Sequence, residues 1–397
     1  MLITLELTKI EKCKIILGAI LLHLSIGSIY AFSVFINPLV LAFGFELPAV
    51  QFIFSLAIAT LGISAAFIFG KFVEKYGAKK TAFISTLCFT TGMIGTGLFL
   101  TLQVGALTTV YVMFIILGIG LGSGYVAPVS SLLRCFNKHP GMAGGIAVFA
   151  FGLGAAVCSP VATWLLTFLP VQSVFIVLGV AYFVVMSIAT YLLPNKIYST
   201  EAKFNAGMDL HSALNTRTFY KLWLLFMTNI FCGIAIISIA APMAMSILSI
   251  EAMEAALIVS IISICNGIGR PIFATLADIF NPKNMYTCIF VLQILALLVM
   301  LVYPIKAVVI ISLGLIGACY GAGFSILPSY IAYIFGLKNV GAIHGASLTA
   351  WSFSGIFAPL FIALVFHMSG AYLTVLPIFI GMFIITTIIS RTIQKEY

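Results

Sequence analysis

The chain of 397 residues alternates long apolar runs with short polar segments. Each run is about as long as the roughly 20 residues that an α-helix needs to cross a bilayer. None shows the strict alternation over about ten residues that is typical of a transmembrane β-barrel strand. The pattern predicts twelve membrane-spanning helices, numbered here in chain order: 15–36, 50–72, 81–101, 106–133, 141–167, 171–193, 219–246, 252–277, 285–303, 307–334, 341–366 and 371–392.

The composition agrees with this pattern. Hydrophobic residues make up 62% of the chain and charged residues only 7%, whereas a soluble domain carries about 25% charged residues. The eight cysteines form no Cys-x-x-Cys pair, and no nucleotide-binding, zinc-binding or nucleophile motif occurs. We therefore expect an all-α integral membrane protein that is not an enzyme and has no catalytic residue, cofactor or metal ion.

The net charge of +9 lies in short basic clusters between the apolar runs, which is typical of cytoplasmic loops rather than of a nucleic-acid-binding groove. In this topology every lysine and arginine except Lys306 and Arg270 falls on one side. Basic loops remain in the cytoplasm, so both termini are expected there. We expect a multi-pass plasma-membrane protein, located in a bacterial inner membrane, that contacts the lipid bilayer, binds no nucleic acid and functions as a monomer.

Two parts of the chain repeat. An acid, a turn residue and a lysine in segment 70–80 recur 204 positions later in segment 274–284, and the glycines of helix 4 recur in helix 10 at a spacing of 199. The repeat predicts two pseudo-symmetric six-helix bundles, 1–193 and 219–397, joined by a cytoplasmic loop, 194–218. Duplicated halves of this kind are a transporter architecture, with the substrate bound between them.

The repeated loops suggest a gate. A carboxylate at the end of a helix can pair with a neighbouring helix end and hold the cytoplasmic side closed. The alternative is a plain basic loop with no gating role. The residues of the predicted gating loops are Gly70, Glu74, Gly77, Lys79, Lys80, Asp278 and Lys283.

Arg270 is a charged residue within predicted helix 8. It lies eight residues before Asp278, or about 12 Å from the cytoplasmic end of the helix at 1.5 Å per residue. An arginine at the centre of a membrane helix costs about 2.5–3.5 kcal/mol, so it is expected to face a polar cavity and bind an anion there. A structural arginine bonded to backbone carbonyls is the alternative. Asn266 lies one turn earlier on the same face and could orient the guanidinium or bind the substrate.

None of the ten acidic residues is expected in the interior of the membrane, because all of them lie in loops or at the ends of the predicted helices. A cavity with one fixed positive charge and no negative charge should select a small organic anion. His23, about 12 Å inside helix 1, is a candidate for proton coupling because its charge changes near neutral pH. It could equally be a neutral packing residue.

Four segments carry a family resemblance: Gly27–Phe35, Gly118–Pro128, Asn266–Pro271 and Leu348–Trp351. Together with the repeated loop, they resemble the major facilitator superfamily, in particular its oxalate/formate antiporter branch and the monocarboxylate transporters. The resemblance implies the major facilitator fold and a cavity lined by aromatic residues. Those named as candidates for substrate binding are Tyr30, Tyr125, Tyr320, Phe324 and Trp351.

The resemblance also narrows the substrate. Oxalate transporters of this branch have a second cation, a lysine in helix 11, and this chain has none there. One guanidinium matches one carboxylate, which favours a monocarboxylate such as lactate, pyruvate or formate, moved by proton symport or by exchange. An oxalate/formate-type or other organic-anion antiporter is the alternative, and a non-transporting membrane sensor is a third.

Overall fold

The computed structural model describes residues 8–103, 106–135, 148–194, 207–336 and 340–396. Within these residues the chain forms twelve helices that are long and apolar enough to cross a membrane, which confirms the predicted number. They are α1 (Lys9–Phe43), α2 (Leu47–Phe69), α3 (Ala78–Leu102), α4 (Leu107–Leu132), α5 (Val148–Leu165), α6 (Val171–Leu192), α7 (Arg217–Ser238), α8 (Ala252–Phe280), α9 (Pro282–Val302), α10 (Lys306–Phe335), α11 (Ala342–Ser369) and α12 (Tyr372–Arg391).

The first helix begins earlier than its hydrophobic pattern predicts. It starts at Lys9 because Thr8 caps it: the Thr8 hydroxyl accepts a hydrogen bond from the Glu11 N–H, and the Glu11 carboxylate accepts one from the Thr8 N–H at 2.9 Å. This capping box satisfies backbone groups at the helix end. The apolar pattern alone does not reveal such a polar first turn.

The seventh predicted helix, 219–246, is interrupted. It breaks at Ile239, where φ is −126°, and a second segment, Ala240–Leu248, continues beyond the break. Pro242 explains the interruption, because it has no N–H to donate to the Ser238 carbonyl one turn earlier. The break lies next to the site described below.

The two halves are packed in equivalent ways. In the first half α4 lies against α2, where Gly118 contacts Ala57 and Gly122 approaches Leu61. In the second half α10 lies against α8 through Gly317 and Gly321. The pairs α3–α6 and α9–α12 correspond in the same way. In both halves, small residues at matched positions let these helices approach closely. The predicted bounds of the two six-helix bundles stay a prediction.

The halves meet along two main seams, α2 against α11 and α5 against α8. We call the end of the bundle where α1 begins the inner end, and the opposite end the outer end. Three serines join α5 and α8 from the middle to the outer end by donating to carbonyls of the opposite half. They are Ser159 to Ala256 at 2.8 Å, Ser260 to Ala156 at 3.1 Å and Ser263 to Gly152 at 2.6 Å. The outer half of this seam is therefore closed.

At the inner end, two lysines of the predicted gating loops bind helix ends within their own half. Lys79 Nζ donates to the Tyr191 carbonyl in the last turn of α6 at 3.2 Å. Lys283 Nζ donates to the Ile393 carbonyl beyond the end of α12 at 2.7 Å. A cation is stabilising at a helix C-terminus, where backbone carbonyls lack partners. The third lysine, Lys80, has its Nζ 5.8 Å from the centre of the Tyr76 ring.

The turns of these loops are also equivalent. A short helix that begins at Gly70 extends α2, and Gly77 ends it with a φ of 85°; Asn281 ends α8 with a φ of 76°. Glycine and asparagine are the residues that accept such positive φ values. The Asp278 side chain is exposed, and the side chain of Glu74 lies outside the described part of the chain. The gating role of these carboxylates stays a prediction.

The glycine contacts between α8 and α10 give a test of this packing. A Cβ added at Gly317 would lie 2.6 Å from the Ile262 carbonyl oxygen, so Gly317→Ala should lower the free energy of unfolding by about 1–3 kcal/mol. Gly381→Ala in α12 is the control, because its Cβ would meet no described atom within 4 Å. Tryptophan fluorescence during unfolding of the detergent-solubilised protein measures the stability of both variants. Equal stability of the two variants would contradict this packing.

Candidate functional site

Arg270 lies in α8 and is fully buried. The helix packing provides space for its long side chain, because Gly321 on α10 faces it without a side chain. A Cβ at Gly321 would contact Asn266 and lie 3.1 Å from Arg270 Cγ. The small residue that allows close helix packing is thus also the one that lets the arginine turn toward the middle of the bundle.

The guanidinium has one protein partner in the described part of the chain. Arg270 Nε donates to Asn266 Oδ1 at 3.2 Å, as the predicted one-turn spacing allows. Nη1 and Nη2 are buried and have no hydrogen-bond partner among the described residues. The rings of Phe324 and Phe151 lie 5.3 and 5.9 Å from the guanidinium carbon. Two parallel donors held between aromatic rings have the geometry that binds one carboxylate through both oxygens.

The aromatic residues predicted for the site form one connected cluster around this charge. Trp351 contacts Phe324 at 4.7 Å and Tyr125 at 5.3 Å between ring centroids. Tyr320 contacts Phe324 at 5.3 Å and Tyr30 at 5.9 Å. The cluster excludes water from the guanidinium, which strengthens any charge interaction made there. The structure thus places all five predicted aromatic residues in one group.

Two hydroxyl groups in this cluster join the halves. The Tyr30 and Tyr320 hydroxyl oxygens, from α1 and α10, lie 2.7 Å apart in a hydrogen bond. The Trp351 indole N–H approaches the Tyr320 hydroxyl but makes no hydrogen bond of good geometry. The centre of the molecule therefore offers several donors in addition to the guanidinium, all of them closed off from solvent.

Phe151 of α5 is a site residue that the sequence analysis missed. It lies against the guanidinium and contacts the rings of Tyr30 at 5.3 Å and Tyr125 at 5.7 Å. It is one of 34 phenylalanines, and no local signal separates it from those that face lipid. Its neighbour Gly152 lets α5 approach α8. This glycine is an indirect sign that Phe151 lies where helices meet rather than in lipid.

His23 lies beside the aromatic cluster, in the first half. It is fully buried, and its Nε2 lies 3.1 Å from the Tyr125 carbonyl. A carbonyl only accepts, so Nε2 carries the proton in this bond. The ring also stacks on the Tyr125 ring, with 5.7 Å between centroids. The structure therefore gives His23 a well-packed place next to the site, and its proton-coupling role stays a prediction.

The site has a net positive charge. Among the residues whose side chains the structure describes, Arg270 is the one buried lysine, arginine, aspartate or glutamate. Within the same residues no three histidine, cysteine or acidic side chains lie close enough together to hold a metal ion. A buried positive charge with unpaired N–H donors is the kind of arrangement that suits an anion.

A family model decides the classification. The model of the Major Facilitator Superfamily matches residues 18–359 and, in an overlapping second match, 222–395. The chain belongs to the Major Facilitator Superfamily. This membership explains the twelve helices and the duplicated halves, because transporters of this superfamily are built from two six-helix halves.

Three named relatives are similar over 58% to 86% of the chain. The uncharacterized transporter YhjX of Escherichia coli is 24% identical, covering 83% of this chain and 82% of its own. The oxalate:formate antiporter of Oxalobacter formigenes is 25% identical, covering 86% and 82%. The apicoplast pyruvate carrier 1 of Toxoplasma gondii is 24% identical, covering 58% and 54%.

Solved structures of the superfamily share the fold. The xylose transporter XylE of Escherichia coli superposes with a TM-score of 0.74 at 14% identity, covering 97% of this chain and 98% of its own. A bacterial homologue of the human lysosomal transporter Spinster gives 0.73 at 14% identity, covering 98% of each chain. At this identity the likeness concerns the architecture alone.

Replacing the arginine by a similar-sized apolar residue tests whether the site is built for an anion. Arg270→Met removes an unpaired buried charge, so the protein without substrate should become more stable by about 1–4 kcal/mol. Arg217→Met is the control, because Arg217 is exposed at the start of α7 and its loss should change stability by less than about 0.5 kcal/mol. Thermal unfolding in detergent measures both. A less stable Arg270→Met protein would show that the arginine is structural.

Proposed function

We propose that this member of the superfamily is a secondary active transporter of small organic anions, and that its substrate is a monocarboxylate such as pyruvate, lactate or formate. The observation that carries the proposal is the pair of buried Arg270 amino groups without a partner. A carboxylate would satisfy both groups and neutralise the charge. Because Asn266 binds Nε, the edge of the guanidinium that carries Nη1 and Nη2 is available for the substrate.

The single positive charge favours one carboxylate over two. No second lysine or arginine is buried among the described residues, and α11 brings Trp351 to the site instead of a cation. A dianion such as oxalate would keep one carboxylate unpaired in a water-free site, which is strongly unfavourable. The names of two relatives, a pyruvate carrier and an oxalate:formate antiporter, support small carboxylates as the substrate class and keep the exchanger as the alternative.

Transport would follow from rocking of the two halves about the site. Opening the outer side requires the serine contacts between α5 and α8 to separate, and the Tyr30–Tyr320 hydrogen bond crosses between the halves as well. The substrate lies where these contacts meet, so its binding can influence which side opens.

The buried charge also bears on the mode of coupling. Closing the empty carrier around an unpaired guanidinium costs several kcal/mol, whereas closing it around an ion pair costs less. The loaded carrier should therefore change conformation faster than the empty one. This favours exchange of one anion for another over net uptake. Proton symport is the other mode of coupling. In that mode, our candidate for the group that takes up the proton is His23.

The first functional prediction concerns Arg270. In proteoliposomes, Arg270→Gln should reduce uptake of labelled pyruvate, lactate or formate by about 100-fold or more, because it removes a buried charge-assisted pair. Arg270→Lys should retain about a tenth of the activity, since lysine keeps the charge and loses the fork. Arg217→Gln is the matched surface control. Unchanged uptake by Arg270→Gln would refute the proposal, and competition by oxalate at the same concentration as pyruvate would favour the dicarboxylate exchanger.

The second prediction separates exchange from symport. Vesicles preloaded with unlabelled substrate should take up label about ten times faster than empty vesicles, because only the loaded carrier crosses readily. An inward proton gradient should have little effect on this exchange. Accumulation in empty vesicles that requires the gradient, and that is lost in His23→Gln, would instead establish proton symport through His23.

A further inference from the structure

A small cavity adjoins the site on its outer side. It lies between α1, α5, α7 and α8, and its lining includes Tyr30 and Asn266, the two residues that also belong to the arginine site. The cavity has room for about one water-sized group. The helices around the cavity therefore leave the seam between the halves incompletely filled at this place.

The cavity is polar at one end and apolar at the other. Asn266 accepts from Arg270 Nε at 3.2 Å, so the guanidinium is bonded to a residue that lines the inner end of the cavity. Toward the outer end the lining is aliphatic, formed by Ile237, Val259 and Ile262. Ser263 also lines the cavity, but its hydroxyl donates to the Gly152 carbonyl. The outer end therefore offers a ligand only apolar contacts.

We propose that this cavity receives the alkyl end of the carboxylate bound by Arg270, and that its size sets the longest unbranched monocarboxylate that the transporter accepts. This inference rests on the proposed function and adds a chain-length limit to it. The carboxylate lies on the guanidinium, and the chain points along α8 toward Ile262 and Val259. An apolar lining favours an alkyl group and gives no partner to a second carboxylate.

The dimensions favour a very short chain. A methyl group is about the size of the water-sized space that is present, and Ile262 and Val259 line this space on its outer side. Affinity should rise by about fourfold for each CH2 that fits, which corresponds to about 0.8 kcal/mol of apolar transfer. It should fall once the chain meets the aliphatic wall, because close-packed interiors accommodate extra atoms poorly.

The test measures binding directly. The purified, detergent-solubilised protein is titrated with the sodium salts of formate, acetate, propionate, butyrate and valerate, and stabilisation against thermal unfolding gives the dissociation constants. Sodium chloride at the same ionic strength is the blank. For the unmodified protein we expect affinity to rise about fourfold from formate to acetate, whose methyl group is about the size of the space, and to fall about tenfold or more by valerate.

Variants of the cavity should move this optimum in opposite directions. Ile262→Ala enlarges the outer end and should shift the best-bound acid toward butyrate or valerate, with Val259→Ala as a second enlargement if the first does not fold. Ala240→Val, which fills the cavity from the segment that follows the break at Ile239, should shift the optimum to formate. Ile258→Ala is the matched control, because Ile258 is buried on α8 and is not part of this lining.

The outcomes separate the two proposals. If these acids stabilise the unmodified protein but Ile262→Ala, Val259→Ala and Ala240→Val all keep its chain-length profile, the cavity is a packing defect and only the present inference is overturned. If none of the acids, from formate to valerate, stabilises the unmodified protein, the monocarboxylate function fails and this inference fails with it.

Discussion

A positively charged guanidinium is buried in the middle of this bundle without a buried negative charge among the described residues. Arg270 shares one donor with Asn266 and keeps two without a partner. A buried ion of this kind normally destabilises a protein by several kcal/mol. The surrounding structure has to supply that energy from elsewhere. The cost is a reason to expect an anionic ligand, since a carboxylate would complete the pair.

The rest of the fold keeps this charge in place and away from water. Matched glycines on α4 and α10 bring these helices close to α2 and α8, and Gly321 leaves the space through which the arginine reaches the centre. Aromatic side chains from α1, α4, α5, α10 and α11 then close around it. Because these helices come from both halves, any opening of the bundle alters the surroundings of the charge.

The same arrangement would connect the proposed binding of an anion at Arg270 to conformational change. The seams between the halves are made by weak, reversible contacts: serine hydroxyls on carbonyls, one tyrosine pair and small-residue packing. Each contributes about 0.5–1.5 kcal/mol, which is small beside the energy of burying an unpaired charge. Neutralising the guanidinium would therefore shift which conformations are populated, and among the described residues no ion pair between the halves would have to break.

The sequence alone determined the number of spanning helices and their duplicated arrangement, and it placed Arg270, the charge that we propose binds the substrate, inside a membrane helix. These features depend on local properties: hydrophobic length, the spacing of a repeated loop, and the energy of placing an arginine inside a membrane helix. The Asn266–Arg270 contact was predictable for the same reason, since residues four apart lie on one helix face. The break at Ile239 and the earlier start of α1 depend on a proline and a capping box, which a hydropathy pattern does not weigh.

Only the tertiary structure decided which side chains meet at the centre. Phe151 joins the site, and Tyr30 bonds Tyr320, because α1, α5 and α10 come together from different parts of the chain. The apolar cavity arises in the same way, where four helices pack without filling the space between them. Aromatic and aliphatic residues look alike in a membrane sequence whether they face lipid or a partner helix. The distinction depends on packing between distant segments, which local pattern does not encode.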